Sequence, residues 1–497
     1  MAFVQNFPFF SIVMSMFSGI ISSVLPGKAA KWVNTVVISI VACLSLMLLI
    51  YLTGTNSSFT YYMGHFPAPW GNEIRAGVLE AGMALFFCII MLLSLLGGRK
   101  KLKEEVVEEK HSLYYILLDL MLSSLLALIY TNDLFTAYVF VEINTISACG
   151  LIMIRQDGKT IEAAVRYMIM SLLGSGMLLL GICMLYDLTG HLLMSNIKES
   201  VELIVLEGQY HVPLLITIAF LSVGLAIKSA LFPFHAWLPN AYGYSTASSA
   251  AILSSLVSKG YIFLLIKIVY RVIGFEIFGN SQIIDILFIF GLMGMIFGSL
   301  SAIKENDIRR MIAYSSVAQV GYIYMGIGMG TQAGMAASVF HILSHAATKS
   351  LLFIAAVGLT DASGGSKKFI DLTGAAYRNK WAGVTFTVGS LSMVGVPLFS
   401  GFISKLLFAQ AAVQNQRKML PALIVLGIST VLNAIYFMKT VIRIYTPVDE
   451  TSESKVVFKD MKVYCVALVF FIVLNVALGV SSQPVVDLIE QGLAMFA

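Results

Sequence analysis

The chain is short of charge. Only 12% of its 497 residues are Asp, Glu, Lys or Arg, while 58% are hydrophobic; a soluble domain carries roughly a quarter charged residues. A soluble globular protein of this length is excluded. Cysteine is also scarce. Cys43, Cys88, Cys149, Cys183 and Cys465 all sit in apolar runs without paired spacing, so neither disulfides nor iron–sulfur ligands are indicated. There is no Gly-x-Gly-x-x-Gly or Walker-type loop, and the glycines of Gly326-Ile-Gly-Met-Gly330 miss that spacing. Nucleotide, nucleic-acid, cofactor and metal sites are therefore not expected. Long polar segments are missing too: the longest connections, about 54–75, 189–211 and 359–380, are too small for a catalytic domain.

What remains is a series of apolar runs of about twenty residues, each long enough to cross a bilayer core. The mean hydropathy is +0.87. The runs fall at 5–24, 33–53, 76–97, 112–130, 134–154, 164–188, 212–235, 246–270, 281–303, 308–328, 333–358, 381–411, 420–442 and 461–482. The expected fold is an all-α polytopic membrane protein with about 14 transmembrane helices. The first run has no basic stretch before it and no small-residue cleavage site after it, so it reads as a retained helix. The mixed-charge run from Arg99 to Lys110 reads as a solvated loop. Aromatic Trp32, Trp70 and Trp381 near run ends suit interfacial anchoring. Gly294 and Gly298, four apart, suit a close helix contact.

Basic residues alternate between connections. Those numbered even hold only Arg75, Lys198, Arg271, Arg417 and Lys418, whereas the odd ones hold clusters such as Arg99-Lys100-Lys101, Arg309-Arg310 and Lys455 with Lys459. By the positive-inside rule the odd connections are cytoplasmic and both termini lie outside.

Two runs are interrupted. Gly224 to Asn240 carries Lys228 and then Pro233 and Pro239; Val394 to Phe402 carries Gly395 and Pro397, with Lys405 just beyond. Proline inside a helix removes a donor and clashes with the preceding turn. At membrane depth, broken backbone survives only against protein or a water-filled cavity. The interrupted runs, the seventh and twelfth, are five apart, so two five-helix units of inverted topology place the breaks in equivalent positions. Such paired breaks mark a transport path. The implied organisation is an N-terminal three-helix segment (1–111), a first repeat (112–273), an inverted second repeat (274–445) and a C-terminal helix (446–497).

Ionisable residues inside the runs cost at least ~2.5–3.5 kcal/mol each on insertion scales and default to pathways. Glu142, Lys228, Lys259, Lys349 and Lys405 are of this kind, and His341, His345 and Lys349 share one helical stripe. A lysine can take up or release a proton as a neighbouring charge arrives or leaves; arginine stays protonated. A histidine beside lysines suits a proton wire better than a zinc site, since no third ligand is near in sequence. Asp119 and Glu80 also lie in apolar runs, with only position to support a role, and His235 sits beside the first break.

The motifs Asp133-Leu-Phe with Glu142 downstream, Lys228-Ser-Ala-Leu-Phe-Pro-Phe-His-Ala-Trp-Leu-Pro239, Asp307-Ile-Arg-Arg-Met-Ile-Ala-Tyr-Ser-Ser316, His341-x-x-x-His345-x-x-x-Lys349 and Gly395-Val-Pro-Leu-Phe-Ser-Gly-Phe-Ile-Ser-Lys405 span most of the chain. Together they resemble the antiporter-like family shared by complex I, membrane-bound hydrogenases and the large Mrp sodium/proton antiporter subunits. Pro67-Ala-Pro-Trp-Gly71 looks more like the Mrp D-type member and its hydrogenase counterpart. The chain departs from the family after Pro239, with Asn240 and Tyr244-Ser-Thr-Ala-Ser248 in place of an acid and an Ala-Pro-Thr-Pro run. The resemblance implies that Glu142 and Lys228 pair in a first half-channel, Lys259 is the central relay and Lys405 ends the second half-channel. It further implies partner membrane subunits, protons or protons exchanged for sodium as cargo, and a prokaryotic plasma membrane. An independent solute transporter is the alternative; an enclosed substrate cavity would favour it over polar groups strung along the chain.

Overall fold

The computed structural model describes residues 3–66, 71–208, 210–447 and 461–496. Pro67 to Trp70, and Lys455 and Lys459, lie outside the described residues. In chain order the helices are α1 (Phe7–Val24), α2 (Gly27–Thr55), α3 (Val78–Glu105), α4 (His111–Tyr130), α5 (Leu134–Met153), α6 (Gly158–Thr189), α7 (Met194–Leu206), α8 (His211–Lys228), α9 (Leu238–Tyr244), α10 (Ala247–Ile252), α11 (Ser258–Ile268) and α12 (Phe275–Asn280). They continue as α13 (Gln282–Lys304), α14 (Ile308–Gly328), α15 (Gln332–Asp361), α16 (Ala375–Arg378), α17 (Lys380–Val394), α18 (Ser400–Gln414), α19 (Gln416–Ile444), α20 (Lys462–Val480) and α21 (Gln483–Ala494). Every apolar run in the sequence coincides with a helix or a broken helix. Among the described residues, 12 helical segments are long and apolar enough to cross a membrane by length and composition.

The connections hold more structure than their composition suggests. An antiparallel pair, β1 (Phe59–Tyr62) and β2 (Glu73–Ala76), registers Phe59 opposite Ala76. The 189–211 connection contains α7. The mixed-charge run from Arg99 to Lys110 is not simply a solvated loop: α3 continues to Glu105, whose carboxylate accepts from Ala247 N at 3.0 Å and so caps α10. A helix start has free N–H donors, and the acid from α3 satisfies one.

Helix starts elsewhere are written in the sequence. Asp133 accepts from Thr136 N at 2.6 Å, Asp157 from Thr160 N at 2.8 Å, and Asp307 from Arg309 N at 2.8 Å and Arg310 N at 3.1 Å. The two acids that head the Asp133 and Asp307 motifs are thus N-caps.

Both interruptions are broken backbone. α8 stops at Lys228, five residues ahead of Pro233, because Ala230 turns to φ +63°, outside the helical region. Pro233 lies within the break. Pro239, expected to break a helix, instead opens one: it occupies the first turn of α9, where no donor is required. The second gap separates α17 from α18, with Gly395 at φ +91°, Leu398 at φ +87° and Pro397 between them.

Burial ranks the helices. α15 and the segment Ala247–Ile273 are 100% buried over their most apolar window, whereas α2 is 28% and α19 33% buried. The first two form the centre; the others face outward. The segment Ala247–Ile273 also carries two π-helical turns, Leu253–Val257 and Val269–Ile273. Beside this centre, α13 and α14 touch backbone to backbone. A Cβ on Gly321 would stand 2.6 Å from Gly291 O, and one on Gly298 2.6 Å from Ala318 N. The close approach expected at Gly294 and Gly298 is therefore present, with α14 as the neighbour. Gly321→Val should force these helices apart, lowering stability by about 1–3 kcal/mol or more. Thermal unfolding in detergent checks this, with Gly427→Val, where nothing lies within 4 Å of the added Cβ, as the control.

Candidate functional site

The first break presents Lys228 at the C-terminus of α8, where unpaired carbonyls favour a cation. Its ammonium donates to Thr145 Oγ1 at 2.8 Å and to Glu142 Oε1 at 3.3 Å, and lies 5.5 Å from the Tyr261 ring centroid. Ser175 also donates to Glu142. The lysine side chain is fully buried and the glutamate's is 26% exposed, so the pair opens on one side only. Close helix packing holds it there: a Cβ on Gly174 would meet Lys228 Cγ at 3.0 Å and Gly224 O at 2.9 Å. Beyond the break, Phe232 stacks on His235 at 5.3 Å and on Phe297 at 5.1 Å.

Lys259 lies just beyond the first π turn, buried, and donates to Ser254 O. The segment that carries it packs on α15, the helix of His341, His345 and Lys349, where Ser255 Oγ meets Ser350 Oγ at 2.7 Å. Lys349 donates to Ile312 O at 2.8 Å and to Ser315 Oγ. The two histidine rings of α15 are parallel, 5.7 Å apart at 3°. His341 Nδ1 meets Ser404 Oγ at 2.6 Å, and its ring stacks on Tyr322 at 5.5 Å. Neither ring nitrogen of buried His345 has a hydrogen-bond partner among the described residues.

Lys405 completes the series. From α18 it reaches back to donate to Val394 O at 2.6 Å, the last carbonyl of α17, and to Thr430 Oγ1 at 3.0 Å, with Tyr322 5.9 Å away. Both break lysines thus sit on the carbonyl end of a half-helix. The seven ionisable residues read from the sequence as a relay fall into two groups. Glu142 and Lys228 form one; Lys259, His341, His345, Lys349 and Lys405 form the other.

Sequence reasoning missed most of the groups that position them: Ser175 and Tyr261 around the pair, and Tyr322, Ser404 and Thr430 in the second group. Hydroxyls at helical spacing carry no signal that sets them apart from packing residues. It also misassigned Arg271 to a connection. The helix runs on as a π turn to Ile273, and Arg271 pairs with Glu80 at 2.6 Å, with both side chains buried. Phe496 covers that guanidinium at 4.0 Å. Glu80→Gln should leave a buried unpaired cation and cost about 3–5 kcal/mol, with Arg271→Met added to it recovering much of the loss. Thermal unfolding of both variants checks the sign.

At the odd-connection face a cavity of about 400 Å³ is lined by Lys101, Glu105, Arg155, Arg309, Thr360 and Lys367 among others. Burial, with the Arg309 guanidinium adding, pushes Lys367 down to about 7.

Fold and site together define a polytopic helical membrane protein with ionisable side chains threaded through its buried centre. Residues 131–432 match the family described as NADH:quinone oxidoreductase/Mrp antiporter, TM, and the chain belongs to that family. It is 33% identical over 387 residues to NADH-quinone oxidoreductase subunit N of Desulforudis audaxviator, covering 78% of this chain and 75% of that one. It is 28% identical to the D-type member of the Na(+)/H(+) antiporter of Alkalihalophilus pseudofirmus, over 71% of this chain and 70% of the relative. A chain of the membrane-bound sulfane sulfur reductase, an archaeal respiratory membrane complex, superposes with a TM-score of 0.87 over 99% of this chain and 97% of its own, at 24% identity. A chain of the Mrp complex from a Dietzia species gives a TM-score of 0.86 over 99% and 97%, at 21% identity. The likeness to both structures is one of fold.

Proposed function

We propose that this chain is the ion-translocating, antiporter-like subunit of a multisubunit membrane complex. Protons, or protons exchanged for sodium, move along Glu142, Lys228, Lys259, His345, His341 and Lys405, with Lys349 beside the relay. The observation that carries the reading is the placement of two lysines on the carbonyl ends of two half-helices, joined across the centre by a buried lysine and a stacked histidine pair. Two inverted units, 112–273 and 274–445, flanked by 1–111 and 446–497, give the symmetry in which each break serves one half-channel. The relatives are named as subunits of a NADH-quinone oxidoreductase and of a Na(+)/H(+) antiporter. Partner membrane subunits therefore supply the energy, through redox chemistry or an existing ion gradient. The setting is a prokaryotic plasma membrane with both termini outside.

Mass spectrometry of co-purifying subunits and ion flux in vesicles test this reading; the purified chain alone should not couple electron transfer to flux. Cysteines introduced in the 99–110 and 359–380 connections should be labelled only from the cytoplasm. Labelling of either from outside intact cells overturns the orientation.

A further inference from the structure

The axis leaves one buried acid unused. Asp119, on α4, is wholly buried and meets α1 and α2 through neutral groups alone. Ser18 Oγ donates to its Oδ2 at 2.9 Å, Ser22 Oγ to the same oxygen at 3.4 Å, and Asn34 Nδ2 to its Oδ1 at 2.6 Å. Asn34 is itself fully buried, and its amide oxygen has no hydrogen-bond donor among the described residues. A buried acceptor without a donor, beside a buried carboxylate without a cation, is a double surplus of negative potential. One positive group bound between them relieves both.

The other charged groups of the packed helices are engaged elsewhere. Glu142 on α5 is with Lys228, Lys259 and Lys267 on α11 bond backbone carbonyls, and Glu80 on α3 is with Arg271. On α4 itself, Tyr115 precedes Asp119 by one turn and packs edge-on to Tyr114. On α2, Lys31 lies over the Trp32 ring.

We propose that Asp119, Ser18, Ser22 and Asn34 form a sodium site outside the axis, in which Na+ and a proton compete for the same carboxylate. The donors are hard oxygens, as a hard cation requires. A single carboxylate neutralises one positive charge, so in this apolar setting a monovalent ion balances the site and a divalent one does not. Both serine oxygens lie within hydrogen-bond reach of Asp119 Oδ2, the Asn34 amide meets Oδ1, and α1 passes close at Gly19, where a Cβ would be 3.5 Å from Asp119 Cβ; the cage suits a small ion. When the ion leaves, the carboxyl takes a proton and the Asn34 amide turns over, so that the carboxyl donates to Oδ1 where Nδ2 otherwise donates to the carboxylate. When it returns, the proton is released and the amide oxygen turns to the metal. The reading is independent of the axis, because its readout is binding and not flux.

The test uses the purified full chain and NaCl, with KCl and choline chloride as comparisons. Sodium should release one proton per ion bound and remove the protonated-carboxyl stretch from the infrared spectrum; potassium should do neither. The half-saturating sodium concentration should rise about tenfold per pH unit on the acid side, since binding requires the deprotonated ligand. Asp119→Asn should abolish both signals. Asn34→Ala should keep the carboxyl band and raise half-saturation about tenfold to a hundredfold, as loss of a supporting group does. An equal response to potassium, an unchanged response in Asp119→Asn, or unchanged half-saturation in both Asn34→Ala and Ser18→Ala overturns the site. Should Asp119→Asn not fold, the Asn34 and Ser18 variants decide alone.

Discussion

Lys259→Met should abolish ion translocation while the protein still reaches the membrane in normal amount. The lysine is buried at the centre, between the Glu142–Lys228 pair and the histidine stripe, and its ammonium donates to the Ser254 carbonyl. Insertion does not depend on it: removing a charge at this depth relieves about 2.5–3.5 kcal/mol on insertion scales. Methionine keeps the length and the packing but cannot carry a proton. His345, His341 and Lys349 would then face an apolar side chain where a titrating group stood, and the relay would be cut in two. Lys405→Ala should have the same effect at the far end, since the Val394 carbonyl would lose its cation. Flux in reconstituted vesicles, beside membrane-fraction yield, separates loss of transport from loss of protein. Wild-type flux in both variants would mean that the path runs elsewhere.

The second large effect is expected at Glu142 and Lys228. At 3.3 Å and an effective dielectric near 20 their attraction is about 5 kcal/mol, and screening on the open side of Glu142 reduces it. That is enough to favour the charged lysine while the two are together and to free its proton when they part. Glu142→Gln should therefore cut transport severely. Glu142→Asp should retain part of it, because the charge remains with a shorter reach. Lys228→Arg should fail despite keeping the positive charge, because arginine does not release a proton. Glu142→Gln combined with Lys228→Met should be no worse than the more damaging single change, as for any two groups acting as one unit. The discriminating result is Lys228→Arg: transport at the wild-type rate would make Lys228 an electrostatic fixture and not a carrier.

Much of this fold was legible because membrane spans are written in length and hydropathy. The apolar runs match the helices, and each lysine singled out by depth is buried or partly buried. The breaks were legible as prolines, but not where the helices end: Ala230, not Pro233, turns the first one aside, and Pro239 starts a helix. Charge at the edge of a run was misread for a related reason. Hydropathy falls at Arg271 although the helix does not stop there, so a buried ion pair looked like a loop charge. Glu105 was hidden in a run of surface charges, and only the fold brings it to the start of α10. Hydroxyl partners such as Ser175 and Ser404 could not be found from one sequence, because their role comes from neighbours distant along the chain.

The π turn Leu253–Val257 ends just before Lys259. Such a turn absorbs one residue more than the α-helical ladder, and one residue in a helix is worth about 100° of rotation. The direction in which Lys259 points is therefore set by a surplus residue upstream as much as by its own place in the chain. Straightening that turn into α-helix with all its residues kept would swing the lysine about 100° around the helix axis, away from the histidines, whereas deleting one residue from the turn would leave it in place. A chain built on this plan without the surplus would need its lysine at a neighbouring position to reach the same point in space.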